Sequence, residues 1–125
     1  MAHAHVQILN SAVSYQLTLQ STDAVTDAID MRPYTTGFIT IPTACTAANI
    51  GFKICETATG TFVTAKDSTG GVIEISTITT TDTYAYQIPT SMLGAFHVKL
   101  WSKNTSSEAD VNQAADRTLV VHLKS

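Results

Sequence analysis

Apolar and polar residues alternate in short runs along most of the chain. "YQLTLQ" (15–20) sets Tyr15, Leu17 and Leu19 on one side and Gln16, Thr18 and Gln20 on the other. "GFITIP" (37–42) follows and is stopped by Pro42. "NIGFKIC" (49–55) sends Ile50, Phe52 and Ile54 one way, with Gly51 and Lys53 opposite. "TFVTA" (61–65) and "VIEIS" (72–76) flank the turn cluster "DSTGG" (67–71), with Ile73 and Ile75 inward and Glu74 outward. "TYAYQIP" (83–89) aligns Tyr84, Tyr86 and Ile88; "AFHVKLW" (95–101) aligns Phe96, Val98 and Leu100; "RTLVVHL" (117–123) aligns Leu119, Val121 and Leu123. A period of two belongs to strands, whose side chains point to opposite faces in turn. About eight strands separated by turn residues predict an all-β protein, an antiparallel two-sheet β-sandwich.

Two stretches are open to helix. "STDAVTDAID" (21–30) has acids near a possible helix start, but Val25, Thr26 and Ile29 favour extended backbone. "PTSMLGA" (89–95) predicts a single turn. The predicted core is Leu17, Leu19, Phe52, Ile54, Ile73, Ile75, Phe96, Val98, Leu100, Leu119 and Val121.

Composition sharpens this picture. Threonine recurs in "TTGFIT", "TATGTFVTA" and "STITTTDTY", and it suits a half-exposed pleated surface. The length of 125 residues fits one core. The domain is expected over 15–125, with 1–14 as an N-terminal arm. Only 14% of residues are charged and the net charge is -3, with no clustered basic face, so no nucleic-acid partner is expected. No apolar run reaches the roughly 18 to 20 residues of a membrane span, and "MAHAHVQILN" is not a secretory signal, so synthesis in a cytoplasm is expected. Cys45 and Cys55 are expected as free thiols. If "NIGFKIC" is extended, its ends stand roughly 20 Å apart, whereas bridged Cα atoms lie within about 7 Å.

Candidate chemistry is sparse. "EADVNQAAD" (108–116) spaces oxygens as a cation loop does, but Ala114 takes the next ligand position and no glycine makes the sharp turn. A polar loop, with Asn112 or Asp116 bonding local backbone, is the expectation. His3 and His5 share one face of the arm, and "HVQIL" carries Val6 and Ile8 in a strand pattern that suits a partner's sheet edge. His97 and His122 lie in predicted strands and face outward. No nucleophile elbow, metalloprotease helix, P-loop or dinucleotide fingerprint is present. No catalytic residue, metal or cofactor is expected. Trp101 has the parity of His97 and Lys99, which makes it either an outward contact residue or a cap on a twisted strand end.

Two segments also resemble a known family. Ala24, Val25, Asp27, Ala28, Ile29, Asp30, Pro42, Thr46, Ala47, Ala48, Ile50 and Phe52 form the first pattern. Lys99, Leu100, Ser102 and the run from Val111 to Arg117 ("VNQAADR"), then Leu119, form the second. Together they resemble small proteins encoded beside the major capsid gene of tailed bacteriophages. Cys45 departs from that family's usual aromatic, "SKNTSSEAD" is more polar than its usual loop, and 56–90 carries little of its signature. The resemblance implies a jelly-roll-like sandwich that decorates or cements the outside of a virion head. It implies the major capsid protein as partner and a homo-oligomer, with a trimer favoured by head lattice symmetry. "NQAADRT" then reads as a structural signature, with Arg117 available to pair with Asp116 or another acid. The competing reading is a carbohydrate-binding module using Trp101, Tyr84, Tyr86 or Tyr34 as platforms.

Overall fold

A computed structural model describes residues 12–125. His3, His5, Val6 and Ile8 lie outside the described residues. Nine strands and one 3-10 turn follow in order: β1 (Ala12–Leu19), β2 (Val25–Asp30), β3 (Thr36–Ile41), β4 (Asn49–Cys55), β5 (Val63–Thr64), β6 (Glu74–Ile75), β7 (Tyr84–Gln87), the turn Thr90–Met92, β8 (His97–Lys103) and β9 (Arg117–Lys124). Strand β1 begins at Ala12, so the last three residues assigned to the arm belong to the sandwich.

The strands form two antiparallel sheets. One has the order β1-β9-β3-β7, the other β2-β8-β4-β5 with β6 also on β4. Successive strands from β1 to β4 therefore cross from sheet to sheet, and β9 returns between β1 and β3. This is jelly-roll wiring, with β5 and β6 sharing one position as two short pieces. The "DSTGG" turn is present: Asp67 accepts at Oδ1 from the amides of Thr69 and Gly71, and Gly70 takes a φ of 85° that suits its missing Cβ. Its flanks do not form the long hairpin arms that alternation predicts. They shorten to two residues each because both pair with β4 instead.

The segment 21–30 resolves as strand. Val25 pairs with Trp101 and Ala28 with Lys99, so one extra residue bulges out between them. The Thr26 hydroxyl accepts the Leu100 amide at 3.0 Å there, satisfying a donor that the bulge would leave unpaired.

The core lies between the sheets. Leu17, Leu19, Ile39, Ile41, Leu119, Val121 and Leu123 meet Ile29, Ile50, Phe52, Ile75, Val98 and Leu100. Ile54, Ile73 and Phe96 are only partly buried and pack at its margin. Tyr15 and Tyr84 share core parity but stay 39% and 51% exposed, each on an edge strand, β1 or β7, of the four-stranded sheet. Alternation fixes which side a residue takes, whereas depth depends on how far the opposite sheet extends.

Candidate functional site

Each sheet also has an outer face, and the two differ. On the five-stranded sheet, Val25, Trp101, Gly51 and Glu74 form one cross-strand row. Ala28, Lys99, Lys53 and Thr64 form the next. Lys53 Nζ stands 4.0 Å over the Trp101 ring and donates to Thr64 Oγ1, while Lys99 Nζ stands 4.5 Å over Phe62. The two ring faces relieve the like-charge contact of these paired lysines.

The polar loop 104–112 folds over the Trp101 end of this face. Trp101 Nε1 donates to Asp110 Oδ1 at 2.7 Å, Asn49 Nδ2 donates to the Thr105 carbonyl, and Lys66 pairs with Glu108 at 3.1 Å. Lys103, 3% exposed, donates to Glu74 Oε1 and to the Asn104 carbonyl. Trp101 is 1% exposed. It keeps its outward parity, without the twist that would turn it to the core, but the loop folds over it and Gly51 lies beneath its ring. As a contact residue it is corrected: its indole is a structural anchor for the loop.

"EADVNQAAD" is thus a set of diverging ties. Glu108 reaches Lys66, Asp110 holds Trp101, and Gln113 exchanges hydrogen bonds with both backbone groups of Thr46 while donating to Ser102 Oγ. Asp116 accepts the Ser21 amide at 2.8 Å, a distant backbone group in place of the expected local one. Side chains aimed at four different elements do not converge on an ion, and no group of three His, Cys, Asp or Glu gathers among the described residues. Arg117 forms no ion pair with Asp116; its Nε is buried with no hydrogen-bond partner among the described residues. Burial pushes the neighbouring Cys45 thiol up, partly offset by the Arg117 charge. Cys45 and Cys55 are free.

Among the described residues nothing covers the outer face of the four-stranded sheet. Its central row is Ser14, His122, Phe38 and Gln87; the next is Gln16, Val120, Thr40 and Ala85. Phe38 is 40% exposed. The His122 ring is held at both nitrogens, Nδ1 2.9 Å from Ser14 Oγ and Nε2 3.0 Å from Thr40 Oγ1. Hydroxyls donate and accept, so either neutral tautomer is satisfied. Ser14 and His122 form a hydroxyl–imidazole pair, but Ser14 meets Nδ1, the nitrogen that the carboxylate of a hydrolytic triad holds, and Thr40, also a hydroxyl, meets Nε2, so no carboxylate orients the ring. Lys124 is the one charge on these strands' outward positions. A shallow concavity of about 300 Å³ lies at this end of the sheet, between Ala12, Ser14, Phe38 and His122.

Sequence reasoning missed Phe38 and singled out Trp101. The signal for Phe38 was present, since Thr36, Phe38 and Thr40 share outward parity in "TGFITI". Of the four proposed sugar platforms, Trp101 and Tyr34 are buried and Tyr86 is half-buried, leaving Tyr84 exposed. The Tyr34 hydroxyl bonds that of Tyr15 at 3.3 Å, which raises the Tyr34 pKa above its ordinary value.

No protein-family model, curated protein or solved structure matches the chain. The fold defines a class: a jelly-roll β-sandwich with one outer face overlain by a loop and the other uncovered among the described residues.

Proposed function

We propose that the protein is a non-catalytic virion component that decorates a tailed-phage head, its open sheet face lying against the capsid protein lattice. The observation that carries this reading is the outer face of the four-stranded sheet. It presents threonine, serine and glutamine side chains around Phe38 and His122 with almost no charge, and no loop covers it among the described residues. Such a surface suits broad, individually weak contact repeated over many copies, where the lattice supplies avidity. Jelly rolls serve as capsid and lectin scaffolds alike, so the fold permits the reading without selecting it. The resemblance carried by "NQAADR" supplies the particular partner, the major capsid protein, and the location on the virion exterior.

The test is co-sedimentation with heads of the phage that encodes the protein. The intact chain should pellet with heads, Phe38→Asp should lose most of that binding while remaining folded, and deletion of residues 1–11 measures what the arm adds. Absence of binding by the intact, folded protein would remove the proposal.

A further inference from the structure

A sandwich has free edges, and each exposes a row of backbone donors and acceptors ready to pair with another strand. Here the edges are unequally protected. Strand β2 carries a bulge and the acids Asp27 and Asp30, the latter tied to Arg32 at 2.8 Å, which holds the Asp30 carboxyl well below the usual range. Strands β5 and β6 have two residues each, too short to template a partner. Strand β7 has four residues, and Pro89 follows within two positions. Strand β1 has none of these devices. Its eight residues, "AVSYQLTL", contain no charge, proline or glycine. All eight pair with β9 in unbroken register. Among the described residues no strand occupies its other edge.

We propose that two copies of the chain pair through the free edges of β1, antiparallel about a two-fold axis, joining their four-stranded sheets into one continuous sheet. A second copy is the occupant because the strand complements itself. In a two-fold contact the residue on the axis meets its own copy and every other residue meets one from the same strand, so charges of one sign along the strand would repel; β1 has no charge. The acids of β2, the adjacent edge of the other sheet, keep that strand out of the same kind of contact. Directly opposed residues of an antiparallel pair point to the same face, so registers that mix parity would set Leu17 against a polar neighbour. Two registers of nearly full overlap remain, one with Tyr15 opposite its own copy and one with Gln16 opposite its own copy. In both, Val13, Tyr15, Leu17 and Leu19 line one face and Ser14, Gln16 and Thr18 the other. Tyr15 would then lose the exposure it keeps in the isolated sandwich. The inference stands apart from the shell-binding proposal, since an edge contact leaves the open face free.

Sedimentation velocity of the full chain, over about 1 to 100 µM, tests it. The expected result is a concentration-dependent monomer–dimer equilibrium. Replacing two exposed edge residues together, Gln16→Lys and Thr18→Lys, should raise the dissociation constant at least about tenfold, since edge lysines block strand pairing. Phe38→Asp, two strands away, should leave it unchanged. In a Cys45→Ser, Cys55→Ser background, Tyr15→Cys or Gln16→Cys should give a disulfide-linked dimer on mild oxidation, according to the register. A monomer throughout, a trimer, a dimer indifferent to the lysine pair, or no crosslink from either cysteine variant would overturn the proposal.

Discussion

The two outer faces begin from the same strand chemistry and end differently. On the four-stranded sheet, outward residues such as Gln16, Thr40 and Phe38 meet solvent as alternation predicts. On the five-stranded sheet, outward Trp101 and Lys103 are as buried as the core, because the loop 104–112 forms an extra layer held by Asp110, Thr105 and Glu108. An apolar ring on a strand's outer side is thus no evidence of a contact surface until the next loop has been placed. The open face owes its accessibility to the absence of such a layer among the described residues.

Substitutions can break this comparison, beginning with the largest effect. Trp101→Ala should lower unfolding free energy by about 3 to 5 kcal/mol, the range for emptying a buried aromatic site. Urea denaturation measures it, and a loss below about 1 kcal/mol would mean the loop layer is not cohesive. Glu74→Gln should cost about 2 to 3 kcal/mol by leaving the Lys103 ammonium without its counter-charge, less than a fully buried pair because Glu74 is a quarter exposed. Gly51→Ala puts a Cβ 2.7 Å from Trp101 Cε3, and the displaced ring should cost about 1 to 3 kcal/mol in the same assay. On the other face, Phe38→Ala should change stability by no more than about 0.5 kcal/mol. An effect matching Trp101→Ala would show that the open face is covered after all.

The smallest effect is a pH dependence beside the covering loop. The Thr69 hydroxyl, with the Gly71 and Thr69 amides, holds the Asp67 carboxyl below its ordinary range. A folded value below the unfolded one gives stability that is present above about pH 4 and lost as pH falls through the folded value. Asp67→Asn should therefore flatten the acid limb of thermal unfolding slightly; a steeper limb would contradict the assigned bonds.

Strand positions were the most legible part of the fold, and their reasons are local. Leu17, Phe52, Val98, Leu119 and Val121 lie inward where alternation puts them. Strand β2 was ambiguous because its acids resemble a helix start; its pairing to β8 and the Thr26 hydroxyl decide in favour of extended backbone. The role of "EADVNQAAD" as a structural loop was legible from the missing glycine and third ligand, while its actual partners were not. Ser21 lies 95 residues from Asp116 and Thr46 lies 67 from Gln113, separations that no local pattern encodes.

The sequence by itself determined the all-β class, the inward face of most strands and the turns, because period, β-branching and glycine placement act over a few residues. Tertiary structure alone decided that Trp101 is buried, that Phe38 and His122 share an open row, and that β1 ends as the long uncharged edge. Those outcomes depend on which strands become neighbours and where a loop comes to rest, and a chain of alternating residues is compatible with many such arrangements until the two sheets close on one core.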